Sequence, residues 1–284
     1  MDELAGLVAR LRAAGCVFAE DEARVLSESA RDPAELDDLT AQRISGLPLE
    51  HVVGWAEFDG LRIAVSPPVF VPRQRSLRLV MAAVEVILGR ASDAITAREV
   101  VVVDLCCGSG AIGRAVAHRV PVSHPASTVD LWAVDVDPTA VACAARNLMP
   151  VQGKALPGDL YAGLPQHLRG RVDLVLASPP YVPTEALGLM PPEARLHEPR
   201  RALDGGPDGL VVARRMLIEA ATWLAPRGRV ALEVAEDQLA AATAAARAAG
   251  LPAYVVGEAS DVVDDDSADG AGGWAVVAGP IAAR

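Results

Sequence analysis

Apolar positions in the first stretch of the chain recur at helical spacing, Leu4, Leu7, Val8 and Leu11, then Val25 and Leu26, so the segment to about Gly46 reads as helical. Asp32-Pro33-Ala34-Glu35 is a helix start: Asp32 can cap, Pro33 suits the first turn, and Glu35 stands where a capping box needs it. Between Leu49 and Val71 the pattern changes to alternation. Asp59-Gly60 separates the β-prone runs Val52 to Phe58 and Leu61 to Val65, and this pair accepts the positive φ angles of a type I′ turn, which predicts a β-hairpin. A helix is expected from Leu77 to Leu88. Beyond it, strands and helices alternate to the end. Val100 to Leu105, Val129 to Val136 and Val172 to Leu176 are the first strands, and the apolar run from Val100 reads as buried on both faces. Arg229 to Val234, Ala253 to Val256 and Trp274 to Ala278 follow, with the Ala-rich helix Glu236 to Ala249 after the first of them. The last two have no helical pattern between them and predict a closing antiparallel pair.

This order of elements implies an α/β fold, a doubly wound, Rossmann-like sheet whose ligand sits at the carboxyl ends of its strands. The expected organisation is a small helical domain (1–48), a β-hairpin linker (49–75) and the doubly wound domain (76–284).

Composition narrows the function. The 284-residue chain is aliphatic, with 4% aromatic residues and a formal net charge of -11, which argues against broad binding to nucleic acid, where affinity comes from Lys and Arg at phosphates. Arg73, Arg75 and Arg78 form a local basic cluster, read as a solvated face. No apolar run reaches the length of a bilayer span, so no membrane partner is expected. Cys16, Cys106, Cys107 and Cys143 lack a paired metal-ligand spacing and are expected as free thiols in a reducing cytoplasm; a disulfide between the adjacent Cys106 and Cys107 would strain a turn. Asp261 to Asp269 is strongly acidic, but a calcium loop begun at Asp265 would put Val276 at the position of the closing acid, so a solvated loop is expected.

Three segments carry candidate chemistry. Cys106-Cys107-Gly108-Ser109-Gly110 follows a buried strand and opens a helix. Asp135, near the end of the next strand, can accept hydrogen bonds from both hydroxyls of a ribose. Ser178-Pro179-Pro180-Tyr181 follows the strand from Val172; its prolines offer rigid carbonyls without N–H donors, an arrangement able to orient a nitrogen nucleophile.

With Gly46-Leu47-Pro48-Leu49, Gly54-Trp55-Ala56-Glu57-Phe58, Val71-Pro72-Arg73, the Asp159 region, His197-Glu198-Pro199-Arg200 and Ala202 to Leu210, these segments stand in an order that resembles the HemK/PrmC class of S-adenosylmethionine-dependent protein-glutamine N5-methyltransferases. The resemblance covers nearly the whole chain. It implies a class I methyltransferase domain at 76–284 with S-adenosylmethionine as cofactor. It also implies that Asp104 and Cys106 to Gly110 wrap the methionine part, Asp135 holds the ribose, Asp159 and Leu160 lie beside the adenine, and Ser178 to Tyr181 hold the substrate nitrogen.

Three departures from the family's pattern stand out, one of them Gln74-Arg75-Ser76-Leu77 after Pro72-Arg73, where the family usually carries an acid-bearing segment ending in Thr-Glu. The family's loop reads Asn-Pro-Pro-Tyr, and its Asn pairs with the glutamine amide; Ser178 stands there in this chain, and a hydroxyl does not duplicate the paired donor and acceptor of an amide. An aromatic often follows the adenine-side Asp; here Leu160 does, with Tyr161 next as a candidate substitute. A guanidinium offers only donors and would match carbonyls, the Ser178 hydroxyl and carboxylates, for which Glu185, Glu193 and Glu198 are the candidates. The favoured acceptor is therefore the guanidino nitrogen of arginine or an arginine-like small molecule. The alternatives are a protein glutamine, as in a release factor, and a non-catalytic cofactor-binding module.

Overall fold

The computed structural model describes residues 2–91, 98–256 and 274–279. Helices α1 (Asp2–Ala13), α2 (Ala19–Ser29), α3 (Pro33–Ile44) and α4 (Leu49–Val53) form an N-terminal layer. Leu7, Leu11, Ala19, Ala23, Leu26 and Val52 meet there in one apolar cluster. Asp32 caps α3 as expected, its Oδ1 accepting from the Glu35 backbone N–H at 2.9 Å. The hairpin follows, β1 (Trp55–Phe58) and β2 (Leu61–Ala64), with Asp59 and Gly60 at φ 57° and 68°. Its first strand starts later than the alternation suggested. Pro48 and the left-handed Gly54 delimit the short α4, and Val52 joins the helical cluster instead of the hairpin.

A buried arginine, paired inside this layer, also ties it to the rest. The Arg43 guanidinium on α3 donates from Nε to Glu22 Oε2 at 2.6 Å and from Nη2 to Glu22 Oε1 at 2.9 Å. Its Nη1 donates to the Leu47 carbonyl and to Glu193, far along the chain. Removing one partner of a buried pair strands the other charge, so Arg43→Met is expected to destabilise the protein by about 3–5 kcal/mol. Urea unfolding measures this; a loss under about 1 kcal/mol would reduce the pair to an incidental contact.

After a single 3-10 turn (Gln74–Ser76), helix α5 (Leu77–Ala91) leads into the sheet: β3 (Arg98–Leu105), α6 (Ala111–Ser123), β4 (Ser127–Asp135), α7 (Pro138–Leu148), β5 (Lys154–Pro157) and β6 (Val172–Ala177). Short helices α8 (Pro192–His197) and α9 (Arg200–Leu203) precede α10 (Val211–Trp223), β7 (Leu224–Val234), α11 (Leu239–Ala248), β8 (Ala253–Val256) and β9 (Trp274–Ala278). The strand order is β5-β4-β3-β6-β7-β9-β8, with β3 to β7 parallel and β9 antiparallel to both of its neighbours. The closing antiparallel pair is thus present, and the acidic stretch Asp261 to Asp269 lies outside the described residues.

Strand β3 explains the layering. Val101, Val103 and Leu105 enter a core shared with Ala213, Met216 and Leu217 of α10, while Val100 and Val102 enter a second core with Leu79 and Val80 of α5 and Val116 of α6. Each such side chain, fully buried, stabilises by about 1.5–3 kcal/mol, which fixes β3 at the centre and sets the register of its neighbours. Strand order proceeds in opposite directions from β3, to β4 and β5 on one side and to β6 and β7 on the other, which leaves a crevice at the carboxyl edge where three loops converge. Among the described residues no helix is long and apolar enough to cross a membrane.

Candidate active site

Parallel register delivers the loops to one level. Leu105 lies opposite both Val134 of β4 and Ala177 of β6, so the segments that begin at Cys106, Asp135 and Ser178 leave the sheet side by side. The turn after β3 is tight: Cys106, Gly108 and Gly110 all have positive φ, and the Gly110 N–H donates to the Cys107 carbonyl at 2.7 Å. Gly110 sits at φ 77°, and a Cβ there would stand 3.1 Å from that of Ala144, so a side chain would strain the turn and crowd α6 against α7.

Two carboxylates hold this turn. Asp104 is buried beneath it, and its Oδ2 accepts from the Gly113 N–H at 2.9 Å. Burial pushes its carboxyl up to about 7 against the opposing effect of that N–H. Asp135 Oδ2 accepts from the Gly108 N–H and Oδ1 from the Asp137 N–H, each at 2.9 Å. Burial raises its carboxyl pKa as well, and the Asp137, Gly108 and Val136 N–H groups work against the rise. Two carboxylate oxygens have lone-pair sites for about four donors, so Asp135 can still accept from an incoming hydroxyl.

A cavity of about 310 Å³ runs along the edge from Gly158, Asp159 and Leu160 after β5, past Asp135 and Cys106, to Ser178, Pro179, Pro180 and Tyr181 after β6. It thus brings together half of the residues singled out from the sequence. Several stand elsewhere. Asp104, Cys107, Gly108, Ser109 and Gly110 do not line the cavity; they form and brace the turn that presents Cys106 and fixes Asp135. The Cys106 thiol is driven far toward its neutral form by burial and by Asp135, Asp104 and Asp159. Asp159 lines the cavity but is exposed and pairs with Arg215 at 2.7 Å. Tyr161 is buried against Trp223, the rings stacked at 5.7 Å, and cannot replace an aromatic beside the cavity.

The acceptor end differs most from expectation. Glu185 is exposed and outside the cavity. Glu193 pairs with Arg43 on the N-terminal layer. Glu198 is buried, accepts from the Val71 N–H at 3.1 Å and pairs with Arg73 at 2.7 Å. None of these three lines the cavity. Arg73 and Arg75 do, so the basic cluster read as a solvated face contributes to the site. Arg75 Nε donates to Tyr181 Oη at 3.0 Å, and burial raises the Tyr181 hydroxyl to about 12 despite this cation.

The Gly205-Gly206-Pro207-Asp208-Gly209 segment, known from sequence only as a motif, has a physical task. Val182 donates to the Leu203 carbonyl at 3.0 Å and accepts from the Gly205 N–H at 2.9 Å, which lays this segment under the Ser178–Tyr181 loop. A Cβ on Gly205 would reach 2.6 Å from the Pro180 carbonyl oxygen, and one on Gly209 would overlap the Tyr181 carbonyl. Gln238 Nε2 donates to that same Tyr181 carbonyl at 2.7 Å. Sequence reading missed Gln238, Arg75 as a lining residue, and Val136, an exposed apolar residue directly after Asp135 that lines the cavity. An apolar residue following the acid at a strand end was the available signal for the last.

The family model described as the methyltransferase small domain matches residues 86–222. A release factor glutamine methyltransferase from Mycolicibacterium smegmatis is 36% identical over 217 residues, 75% of this chain and 72% of that one. Its counterpart from Streptomyces coelicolor is 38% identical, covering 71% of this chain and 67% of its own. That from Gloeobacter violaceus is 40% identical over 68% of this chain and 63% of its own. Among solved structures, the hMettl16 catalytic domain bound to a 3′UTR hairpin superposes with a TM-score of 0.52 over 85% of this chain and 82% of that one, at 16% identity, a likeness of fold alone. With the sheet topology, the glycine turn and the Ser178–Tyr181 loop, these relatives establish that the chain belongs to the HemK/PrmC family of release factor glutamine methyltransferases and is an S-adenosylmethionine-dependent enzyme of class I fold.

Proposed function

We propose that this enzyme methylates the side-chain amide nitrogen of a glutamine in a release factor. The observation that carries the reading is the charge of the acceptor end. Arg73 and Arg75 line it, and the carboxylates that line the cavity, Asp135, Asp137 and Asp159, come from the segments after β4 and β5. Both cations have carboxyl partners, Glu198 on Arg73 and the buried Glu233 facing Arg75, so none of the carboxylates expected beside the loop is left to pair with an incoming guanidinium. A neutral amide needs no such counter-ion. The arginine acceptor favoured on sequence grounds thereby loses its physical basis, since it called for Glu185, Glu193 or Glu198 beside the loop and none of them lines the cavity. The relatives' names support glutamine.

The residues present fit the cofactor. Asp135 has lone pairs for the ribose hydroxyls, the Cys106 turn forms the floor for the amino-acid portion, and Val136 and Leu160 offer apolar surface to a planar base, with Asp159 at its edge. S-adenosylmethionine supplies an electrophilic methyl group on a sulfonium when bound. The chain's part is to hold the nitrogen: the Ser178 and Pro179 carbonyls accept its N–H bonds and turn its lone pair outward, Pro180 keeps the loop rigid, and Tyr181 packs against the planar amide.

The test incubates the full chain with S-adenosylmethionine and a release factor, free glutamine, free arginine or arginine peptides, and reads methyl gain by peptide mass spectrometry. Modification of one release-factor glutamine is expected. Product from a guanidino compound with none on the release factor would overturn the proposal.

A further inference from the structure

Parallel pairing of β6 with β7 matches Ala177 to Leu232, so the next residues along the two strands, Ser178 and Glu233, stand side by side at the carboxyl edge. Glu233 is buried, and its Oε2 makes no hydrogen bond. The hydroxyls of Ser76, Ser178 and Tyr181 face its carboxyl, as does the Arg75 cation. Tyr181 Oη already accepts from Arg75 Nε at 3.0 Å, which leaves its own hydrogen for Glu233. Such a carboxyl is costly to bury, and nothing in the sheet requires it: its neighbour on β9 is Ala275.

We propose that Glu233 is a positioning residue that takes the hydroxyl hydrogen of Ser178, so that Ser178 Oγ turns only lone pairs toward the acceptor. A serine hydroxyl can otherwise rotate to donate or accept. Oriented this way, it presents to an amide N–H the acceptor that the family's asparagine presents with its carbonyl oxygen. The enzyme keeps an amide substrate without the amide clamp. This assignment deepens the glutamine reading and rests on it for the nature of the acceptor.

Two measurements test it. In the first, Glu233→Gln is expected to lower kcat about tenfold or more with release factor as acceptor, while cofactor Kd stays within about twofold. In a Ser178→Asn background, where the side chain's own amide fixes the polarity, the same change is expected to cost less than about threefold. Equal losses in both backgrounds, or a parallel loss of cofactor binding, would show a merely structural residue and overturn the proposal. The second needs no acceptor. Infrared difference spectra of wild type minus Glu233→Gln, taken across pH, are expected to show an ionised carboxylate at mildly alkaline pH and a carboxyl band that grows as pH falls. Ser178→Ala is expected to move that titration upward, because it removes a donor to the carboxylate. The charged and titratable groups acting on Glu233, Arg75 and Tyr181, are the same in both proteins. No movement of the band, or a protonated carboxyl at alkaline pH, overturns the assignment. Failure of the wild type to methylate release factor would count against the acceptor alone, and the spectra would still judge Glu233.

Discussion

Gly209→Ala is expected to lower kcat by about 10²-fold or more while leaving cofactor affinity within about threefold. Gly209 sits at φ 74°, in the left-handed region, and an added Cβ would fall inside contact distance of both the Tyr181 carbonyl and the Gln238 amide. The left-handed backbone alone costs a non-glycine residue about 1–2 kcal/mol. The larger effect is displacement. Relief of the overlap must push the Tyr181 carbonyl away and break its 2.7 Å bond from Gln238 Nε2. A shift of about 1 Å in a loop that aligns a nucleophile is enough for a 10²-fold loss. Asp135 and the Cys106 turn hang from other strands and do not move with it. Steady-state kinetics beside calorimetric titration of the cofactor separates the two halves of the site. Gly188→Ala is the control, since its Cβ would meet nothing within 4 Å. A Gly209→Ala enzyme with nearly normal kcat would show that the glycine segment does not hold the acceptor loop.

Much of the architecture was legible because it depends on local pattern. The apolar run from Val100 announced a central strand, Asp59-Gly60 announced a type I′ hairpin, and Asp135 announced itself by its place at a strand end. Ser178 to Tyr181 and the glycine turn were found as motifs, and the first lines one cavity with Cys106, which the turn presents. The unreadable part is pairing between distant segments. Glu193 and Glu198 lie close in sequence to the acceptor loop, yet their partners are Arg43 and Arg73, 150 and 125 positions away. Those cations remove them from the acceptor, and its end of the cavity lacks the carboxylates expected there. Glu233 was hidden for a related reason: as one residue in an apolar strand it carries no motif, and only strand register sets it beside Ser178. Val52 shows the same limit at smaller scale, since alternation suited a strand while burial against α1 and α2 favoured a helical turn.

Asp135→Ala is expected to weaken binding of S-adenosylmethionine and of its demethylated product by about 2–4 kcal/mol, roughly 30- to 10³-fold, through loss of charge-assisted bonds to two hydroxyls. Part of that loss is indirect. The Gly108 and Asp137 N–H groups lose their acceptor in the same step, so the turn loosens with the ligand contact. Asp135→Asn separates the terms, because its carbonyl oxygen still accepts while its amide donates and the charge is gone. The pH dependence gives the sign. A carboxyl whose pKa is raised by burial becomes protonated at higher pH than an exposed aspartate, and the protonated form loses acceptor capacity. Wild-type affinity should therefore be full above the raised pKa and fall as pH drops through it. Asp104, at about 7 beneath the same turn, titrates too, and its rise is partly due to Asp135. In Asp135→Asn the Asp135 limb should vanish, and the remaining limb, belonging to Asp104, should move to lower pH because its negative neighbour has been removed. Calorimetry across the acid range measures both. Unchanged affinity in Asp135→Ala, or an acid limb that survives unmoved in Asp135→Asn, would remove Asp135 from the cofactor site and assign its role to the turn alone.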